Sequence, residues 1–533
     1  MKKSQFIAVA AALVAMASCT TSDEVFEGLN LAEQATQENA INFGTYMSGS
    51  QQTRAIADAV NGGVTGSITS AQALAQKRGF GVFAHYTVEK DYLGTVASGK
   101  TPSTALSGTP TTDLTSDQAS ATKPNFMYNQ RIVGTDDATP AWSYTPVKYW
   151  PNGNSTADDQ SPAAEGSVGG KVSFFAYAPY VETVGSTGIT AMSAANAEGN
   201  PTITYKMPST GAVVDLLWGT AGTNGYKAQT GSVGQPGDYI ALNPTGSTEW
   251  ADRPFKVNAN LTKMKTEGKV EFAFKHALAK VGGSESGSFT GSGLQIILDV
   301  DNADGSESGG TYNNAETKVT VSAINIKARS KVDTNGDATA DKYLTEAGNQ
   351  GVLDLATGQW TIDVATATNI TDGTGKAEMT HNITTAGSAP DCQLNTTIAE
   401  PTTAPATTEA GWNGLPAGVQ TTTAKNVYQN EANPLVFIPG TFPELEVEIT
   451  YVVRTKDANL ADKYSNVSQT VKKTINFANK VQLNKQYNLL IHLGLTSVKF
   501  TATVSNWEPY DNNNNETIDA EDQQNVYLPI NVQ

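Results

Sequence analysis

The sequence predicts an all-β fold built from antiparallel sandwiches. Short β-type runs recur between turns of Gly, Asn, Ser, Thr and Pro, and no strand and helix units alternate along the chain. Glu444-Leu445-Glu446-Val447-Glu448-Ile449-Thr450-Tyr451 also sets polar and apolar residues on opposite faces, as a half-solvated antiparallel strand requires. In the first half the runs are Ile41 to Tyr46, Gly81 to Tyr86, Phe126 to Val133, Tyr144 to Trp150, Lys171 to Tyr177 and Ala212 to Trp218, with a single helix candidate at Ser70 to Lys77. In the second half they are Val270 to Val281, Leu294 to Val300, Thr317 to Ala328, Gly358 to Val364, Leu435 to Ile438, Glu444 to Val453, Gln469 to Phe477, Tyr487 to Leu493 and Ser497 to Val504. Gly99 to Pro124 and Ala365 to Ala432, rich in Thr, Ala, Gly and Pro, read as surface insertions. The second is too long to lack structure inside a compact domain, which predicts hairpins of its own.

A chain of 533 residues, 39% hydrophobic, fills more than one core, and sandwiches of the usual size divide it into two large domains. The polar stretch Lys256 to Lys269 places the boundary at 267/268, giving domains 55–267 and 268–510. Only 16% of residues are charged and the net charge is −17, which argues against nucleic acid as a partner. Two cysteines and four scattered histidines supply neither a disulfide framework nor a zinc set. No cofactor is implied.

The ends of the chain are the most informative part. Met1-Lys2-Lys3 precedes an apolar run from Phe6 to Met16, the length of a secretory signal core and too short to span a bilayer. Met16-Ala17-Ser18-Cys19 resembles a lipobox, which predicts removal of residues 1–18 and acylation of Cys19, a palmitate-type anchor. Cys392 is then a lone thiol. Residues 19–54 form a polar leader holding the strand Ile41 to Tyr46. Arg54, its only arginine, lies in Gln52-Thr53-Arg54-Ala55, a stretch of the kind proteases favour. At the other end, Asp511 to Gln524 is a polar linker, after which Val526, Leu528, Ile530 and Val532 alternate with other residues up to the terminus. Such a strand needs a groove. It either folds back as an edge strand, which Pro529 tolerates, or adds to the sheet of a neighbouring subunit.

Taken together these features resemble the fimbrillin family of Bacteroidetes, the subunits of type V pili. The matching residues are the lipobox at Cys19, Thr53-Arg54-Ala55, Phe80-Gly81-Val82-Phe83-Ala84, Tyr149-Trp150-Pro151, Ser173 to Tyr180, Asp215-Leu216-Leu217, Phe274 to Val281 and Ser505-Asn506-Trp507. Ser22-Asp23-Glu24 resembles the acidic signal that sends lipoproteins of these bacteria to the outer surface. The resemblance implies two transthyretin-like sandwich domains and no enzymatic activity. It implies cleavage between Arg54 and Ala55 by an Arg-specific protease, with loss of the strand Ile41 to Tyr46. Filling of the emptied groove by Val526, Leu528, Ile530 and Val532 of another subunit follows from it as well. The implied partners are other fimbrial subunits and host or bacterial surface ligands, and the implied location is the outer membrane and then the fimbrium. A removable strand together with a spare one fits a stalk subunit better than a tip; the competing class is a surface lipoprotein that binds glycans as a monomer.

Other motifs carry bland readings. Gly94 to Thr101 spells a phosphate loop, but Pro102 breaks the helix such a loop needs. Asp333, Asn335, Asp337 and Asp341 space oxygens like the opening of a calcium loop. Ala338 replaces the glycine and Leu344 the bidentate Glu of such a loop, so a plain Asn-Gly turn is favoured. His276 reads as a core histidine, and Trp142, Tyr144 and Trp150 as core aromatics rather than a carbohydrate surface. No nucleophile and base pair stands out.

Overall fold

The computed structural model describes residues 40–46, 68, 70–86, 92, 123–151, 171–209, 213–221, 257–261, 266, 268–282, 293–298, 316–371, 374–385, 392–403, 408–431, 435–494, 498–506, 526–527 and 530–532. They form an all-β architecture of sheets with eight, seven, nine and four strands, plus two short helices, Ala71–Gln76 and Glu409–Asn413. The predicted helix at Ser70 to Lys77 is present. Ser70 Oγ accepts from the Ala73 amide at 3.1 Å, capping an otherwise unsatisfied first-turn donor.

The eight-stranded sheet runs in the order Asn42–Tyr46, Lys269–His276, Leu217–Ala221, Val172–Ala178, Phe80–Tyr86, Met127–Gly134 and Trp142–Ser143, with Asn258–Leu261 paired to Val172–Ala178. Phe80–Tyr86 and Val172–Ala178 are buried on both faces, which is why they read as continuous apolar runs and not as alternation. Lys269–His276 lies between Asn42–Tyr46 and Leu217–Ala221, so this sheet extends past the expected boundary at 267/268.

A second element crosses that boundary. The four-stranded sheet pairs Gly188–Met192 and Thr202–Lys206 with Gln350–Asp354 and Trp360–Ile362. The larger hydrophobic core follows it, running from Phe83 through Tyr205 and Trp218 to Leu353, Phe437 and Leu493; a smaller core lies around Phe80, Phe174 and Phe272. Trp218 stitches the halves together: its indole nitrogen donates to the Leu355 carbonyl at 2.8 Å.

Two sheets make up the rest. Thr317–Val332 and Phe442–Thr455 pair along most of their length at the centre of the nine-stranded sheet, and Val467–Phe477 lies on the far side of Phe442–Thr455. The predicted alternation is present: Leu445, Val447, Ile449 and Tyr451 are buried in the core, and Glu446, Glu448 and Thr450 point outward. Strands of the segment Ala365 to Ala432, expected as a surface insertion, instead belong to this sheet and, through Lys425–Asn426, to the seven-stranded one. The segment's strand Met379–Thr384 pairs with Ala323 to Ala328, burying Met379, His381 and Ile383. A histidine in the middle of that inward row dilutes the apolar signal, which is why composition alone misplaces it.

Gly358 occupies a left-handed turn, φ +69°, where a Cβ would stand 2.5 Å from the Trp218 ring. A left-handed L-residue costs about 1–2 kcal/mol and overpacking about 1–3. Gly358→Ala is therefore expected to destabilise the protein by about 3 kcal/mol. Urea unfolding checks this as a lower midpoint with an unchanged slope.

Candidate functional site

Asn42–Tyr46 enters the edge of the eight-stranded sheet parallel to Lys269–His276, in the register Asn42↔Lys269 to Tyr46↔Ala273. Every other pairing in that sheet is antiparallel. No hairpin can make a parallel pair, so this strand is a separate piece laid into a groove.

Its side chains fill the groove. Ile41 is fully buried, and Phe43 sits among Phe80, Tyr144, Phe174 and Phe272 with ring centroids 5.3 to 6.3 Å apart, the range of favourable aromatic pairs. A Cβ at Gly44 would stand 2.5 Å from Lys269 Cε, the far end of a half-exposed flexible side chain that can swing aside. The groove's second wall is the strap Tyr144 to Trp150. The Ile41 amide donates to the Lys148 carbonyl at 2.9 Å, and the Tyr144 hydroxyl donates to the Ile41 carbonyl at 2.9 Å and accepts from the Lys148 amide at 3.1 Å. Burial raises the Tyr144 phenol above its ordinary value, which keeps it a donor. Gly268 closes the corner, accepting from the Asn42 amide at 3.1 Å and the Trp150 indole at 3.3 Å. Of the three aromatics weighed as core or carbohydrate surface, Trp150 is buried, Tyr144 clamps the inserted strand, and Trp142 stacks edge-on against Phe80.

Beyond the strand, the described chain resumes at Ile68, whose amide donates to Asp215 Oδ2 at 2.7 Å; Asp215 Oδ1 lies 2.8 Å from His276 Nδ1. His276 is thus a core histidine, with its backbone amide held by Asn484 Oδ1 at 3.1 Å. The segment between Tyr46 and Ile68 is anchored at both ends. It contains Arg54 and Ala55, which, like Cys19 and the phosphate-loop lookalike Gly94 to Thr101, lie outside the described residues.

The C-terminal segment is paired within its own chain. Val526–Tyr527 runs antiparallel to Thr503 and Val504 at the edge of the seven-stranded sheet, and Ile530–Val532 antiparallel to Ile475 to Phe477 at the edge of the nine-stranded one. Leu528 falls outside the described residues.

At the calcium-loop lookalike the oxygens are turned to the loop itself. Asp333 accepts from the backbone amides of Gly336 and Ala338, Asp337 from the backbone amide of Thr339 and the Asn335 side-chain Nδ2, and Asp341 from the backbone amide and hydroxyl of Thr334. Ala338 takes φ +67° where a calcium loop has glycine. Among the described residues no three His, Cys, Asp or Glu side chains are grouped to hold a metal.

Sequence reasoning did not find the parallel insertion, the Tyr144 strap or the Asp215–His276–Ile68 tie. The one available signal was Asp215 in the apolar run Val213 to Trp218, where an acid needs a partner.

The comparisons with known proteins bear on this geometry. A stretch of 154 residues is 29% identical to fimbrium subunit Fim1C of Phocaeicola vulgatus, covering 28% of this chain. The likeness is to that one relative over that one stretch. The match spans 30% of that relative's own length. The crystal structure of a fimbrial protein from Bacteroides vulgatus aligns with 88% of this chain and 99% of its own, at 17% identity and a TM-score of 0.48. No family model matches.

Removing the Tyr144 hydroxyl in Tyr144→Phe is expected to cost about 1 kcal/mol, and Phe43→Ala about 3–5 kcal/mol. Denaturant titration checks both. Hydrogen exchange at the Ile41 and Asn42 amides is expected to quicken in Tyr144→Phe while the amides of Val172–Ala178 stay protected.

Proposed function

We propose that this protein is a structural subunit of surface fimbriae that contributes to adhesion and is not an enzyme. The precursor is a lipoprotein anchored through Cys19 in the outer membrane. An Arg-specific protease cuts between Arg54 and Ala55, and the leader departs with Asn42–Tyr46. The groove between Lys269–His276 and the Tyr144 strap then accepts the terminal strand of another subunit, whose Val526, Leu528, Ile530 and Val532 replace Ile41 and Phe43. Repeated head to tail, this contact does not close on itself and so grows a filament. A stalk position fits the possession of both strands.

The observation that carries this reading is the leader strand itself. It is buried and laid parallel into an edge groove, and its covalent link to the rest of the fold runs through the segment holding Arg54. An occupied edge keeps the precursor from pairing with other chains. The cis pairing of Val526–Tyr527 and Ile530–Val532 favours a second reading, a monomeric surface lipoprotein that binds glycans and never releases either strand. Under the fimbrial reading the same pairing parks the donor strand until assembly.

Intact mass and N-terminal sequencing of protein recovered from the cell surface distinguish the two. A start at Ala55 is the expected result, and an acylated start at Cys19 overturns the fimbrial mechanism. Arg54→Ala is expected to trap the lipidated monomer, and deletion of Asn525 to Gln533 to leave a folded subunit that does not polymerise. Electron microscopy of fimbriae on cells carrying each variant checks both outcomes.

A further inference from the structure

We propose that Lys331 and Asn476 join through an isopeptide bond, with Glu444 carrying the protons. Phe442–Thr455 lies between Thr317–Val332 and Val467–Phe477, so the bond ties two strands that are not neighbours. Arg329, Glu444 and Asn476 stand in one cross-strand row, and Lys331 stands in the next row, opposite Phe442. Residues two apart along a strand share a face, which puts Lys331, Glu444 and Asn476 together. There Lys331 Nζ donates to Asn476 Oδ1 and lies 3.3 Å from Glu444 Oε2. Lys331 and Glu444 are 7% and 6% exposed, beneath Tyr343, whose hydroxyl donates to Glu444 at 2.7 Å and whose ring lies 5.9 Å from Lys331 Nζ.

An amine attacks a carboxamide slowly in water, because the amine is protonated and the amide is a poor electrophile. This site addresses both obstacles. Burial pushes the Lys331 amine below its ordinary value, only partly offset by the Glu444 charge, so the neutral nucleophile is nearer to hand. Burial alone would raise the Glu444 carboxyl, but hydrogen bonds from Tyr343 and Arg329 and the Lys331 charge hold it below the usual range, so it is an ionised base beside the amine. Fixing both reactants on adjoining rows of one sheet supplies an effective concentration that, for well-oriented groups, reaches about 10⁵–10⁸ M.

The step balances without a further reactant. The Lys331 ammonium gives a proton to Glu444, and Nζ attacks Asn476 Cγ to form the N–C bond. As the Cγ–Nδ2 bond breaks, Glu444 returns its proton to Nδ2; a second Nζ proton follows, and the nitrogen leaves as ammonium. Glu444 ends as it began. The Arg454–Glu400 pair at the opposite end of the same two long strands, by contrast, bonds to the Thr320 hydroxyl and not to a carboxamide. Asn476 also stands opposite Asn531 in the terminal strand, so the bond anchors the strand on which that segment is seated.

Tryptic digestion of the full-length protein and tandem mass spectrometry test this. The expected product is one branched peptide joining the segments that contain Lys331 and Asn476, lighter than their sum by one ammonia, with no cleavage after Lys331. Two separate unmodified peptides overturn the proposal. So does loss of ammonia with no branched peptide, since the Asn335-Gly336 pair can lose ammonia by cyclising on itself. Lys331→Arg and Glu444→Gln are each expected to give linear peptides only; a branched peptide that persists in Glu444→Gln overturns the role given to Glu444. The result on the unaltered protein decides whether the bond exists, whatever happens to the folding of the variants.

Discussion

The fold depends on an edge that must be filled. Lys269–His276 presents one side to Leu217–Ala221 and the other to whatever occupies the groove, and the aromatic pocket around Phe272 has no floor unless a side chain like Phe43 enters it. Fully burying one large apolar side chain is worth about 1.5–3 kcal/mol, and each good aromatic pair adds about 0.5–1.5. Ile41, Phe43 and the backbone hydrogen bonds beside them therefore form a sizeable share of the 5–15 kcal/mol by which a typical domain is stable.

The walls of the groove show how one short segment is held in place. Parallel pairing on one side gives register, and the Tyr144 hydroxyl on the other bridges the Ile41 carbonyl and the Lys148 amide, fixing strap and strand together. The Asp215–His276 pair takes hold of the described chain again at Ile68.

The second half of the molecule meets a different demand. Its central strands are long, and the outward face of the nine-stranded sheet carries charges that become buried towards one end, where Tyr343 covers Arg329, Lys331 and Glu444. Arg329 reaches Glu444 at 2.9 Å and Glu378 on its other side, so Glu444 is fully engaged. Buried charges are tolerated when paired and hydrogen-bonded, and leaving one partner alone is costly. Such a cluster fixes the register of three strands more tightly than apolar contacts would, because a slip of one residue would bury an unpaired charge.

The sequence by itself determined the fold class, the helix at Ala71–Gln76 and most strand positions, whereas the terminal run read as one strand is split into Val526–Tyr527 and Ile530–Val532 on two different sheets. What it determined is a local matter: capping by Ser70, alternation in Glu444 to Tyr451, turn residues between apolar runs. Tertiary structure alone decided the partners. Lys269–His276 looked like the start of a second domain and joined the first sheet, and Met379–Thr384, in a segment that read as an insertion, took a place near the centre of another. Strand pairing is chosen by which edges are open and which faces need covering, and neither is encoded within ten residues of the strand concerned. The groove for Asn42–Tyr46, the Tyr144 clamp and the meeting of Lys331, Glu444 and Asn476 all join residues far apart in the chain. Each arises only when the sheets have been ordered.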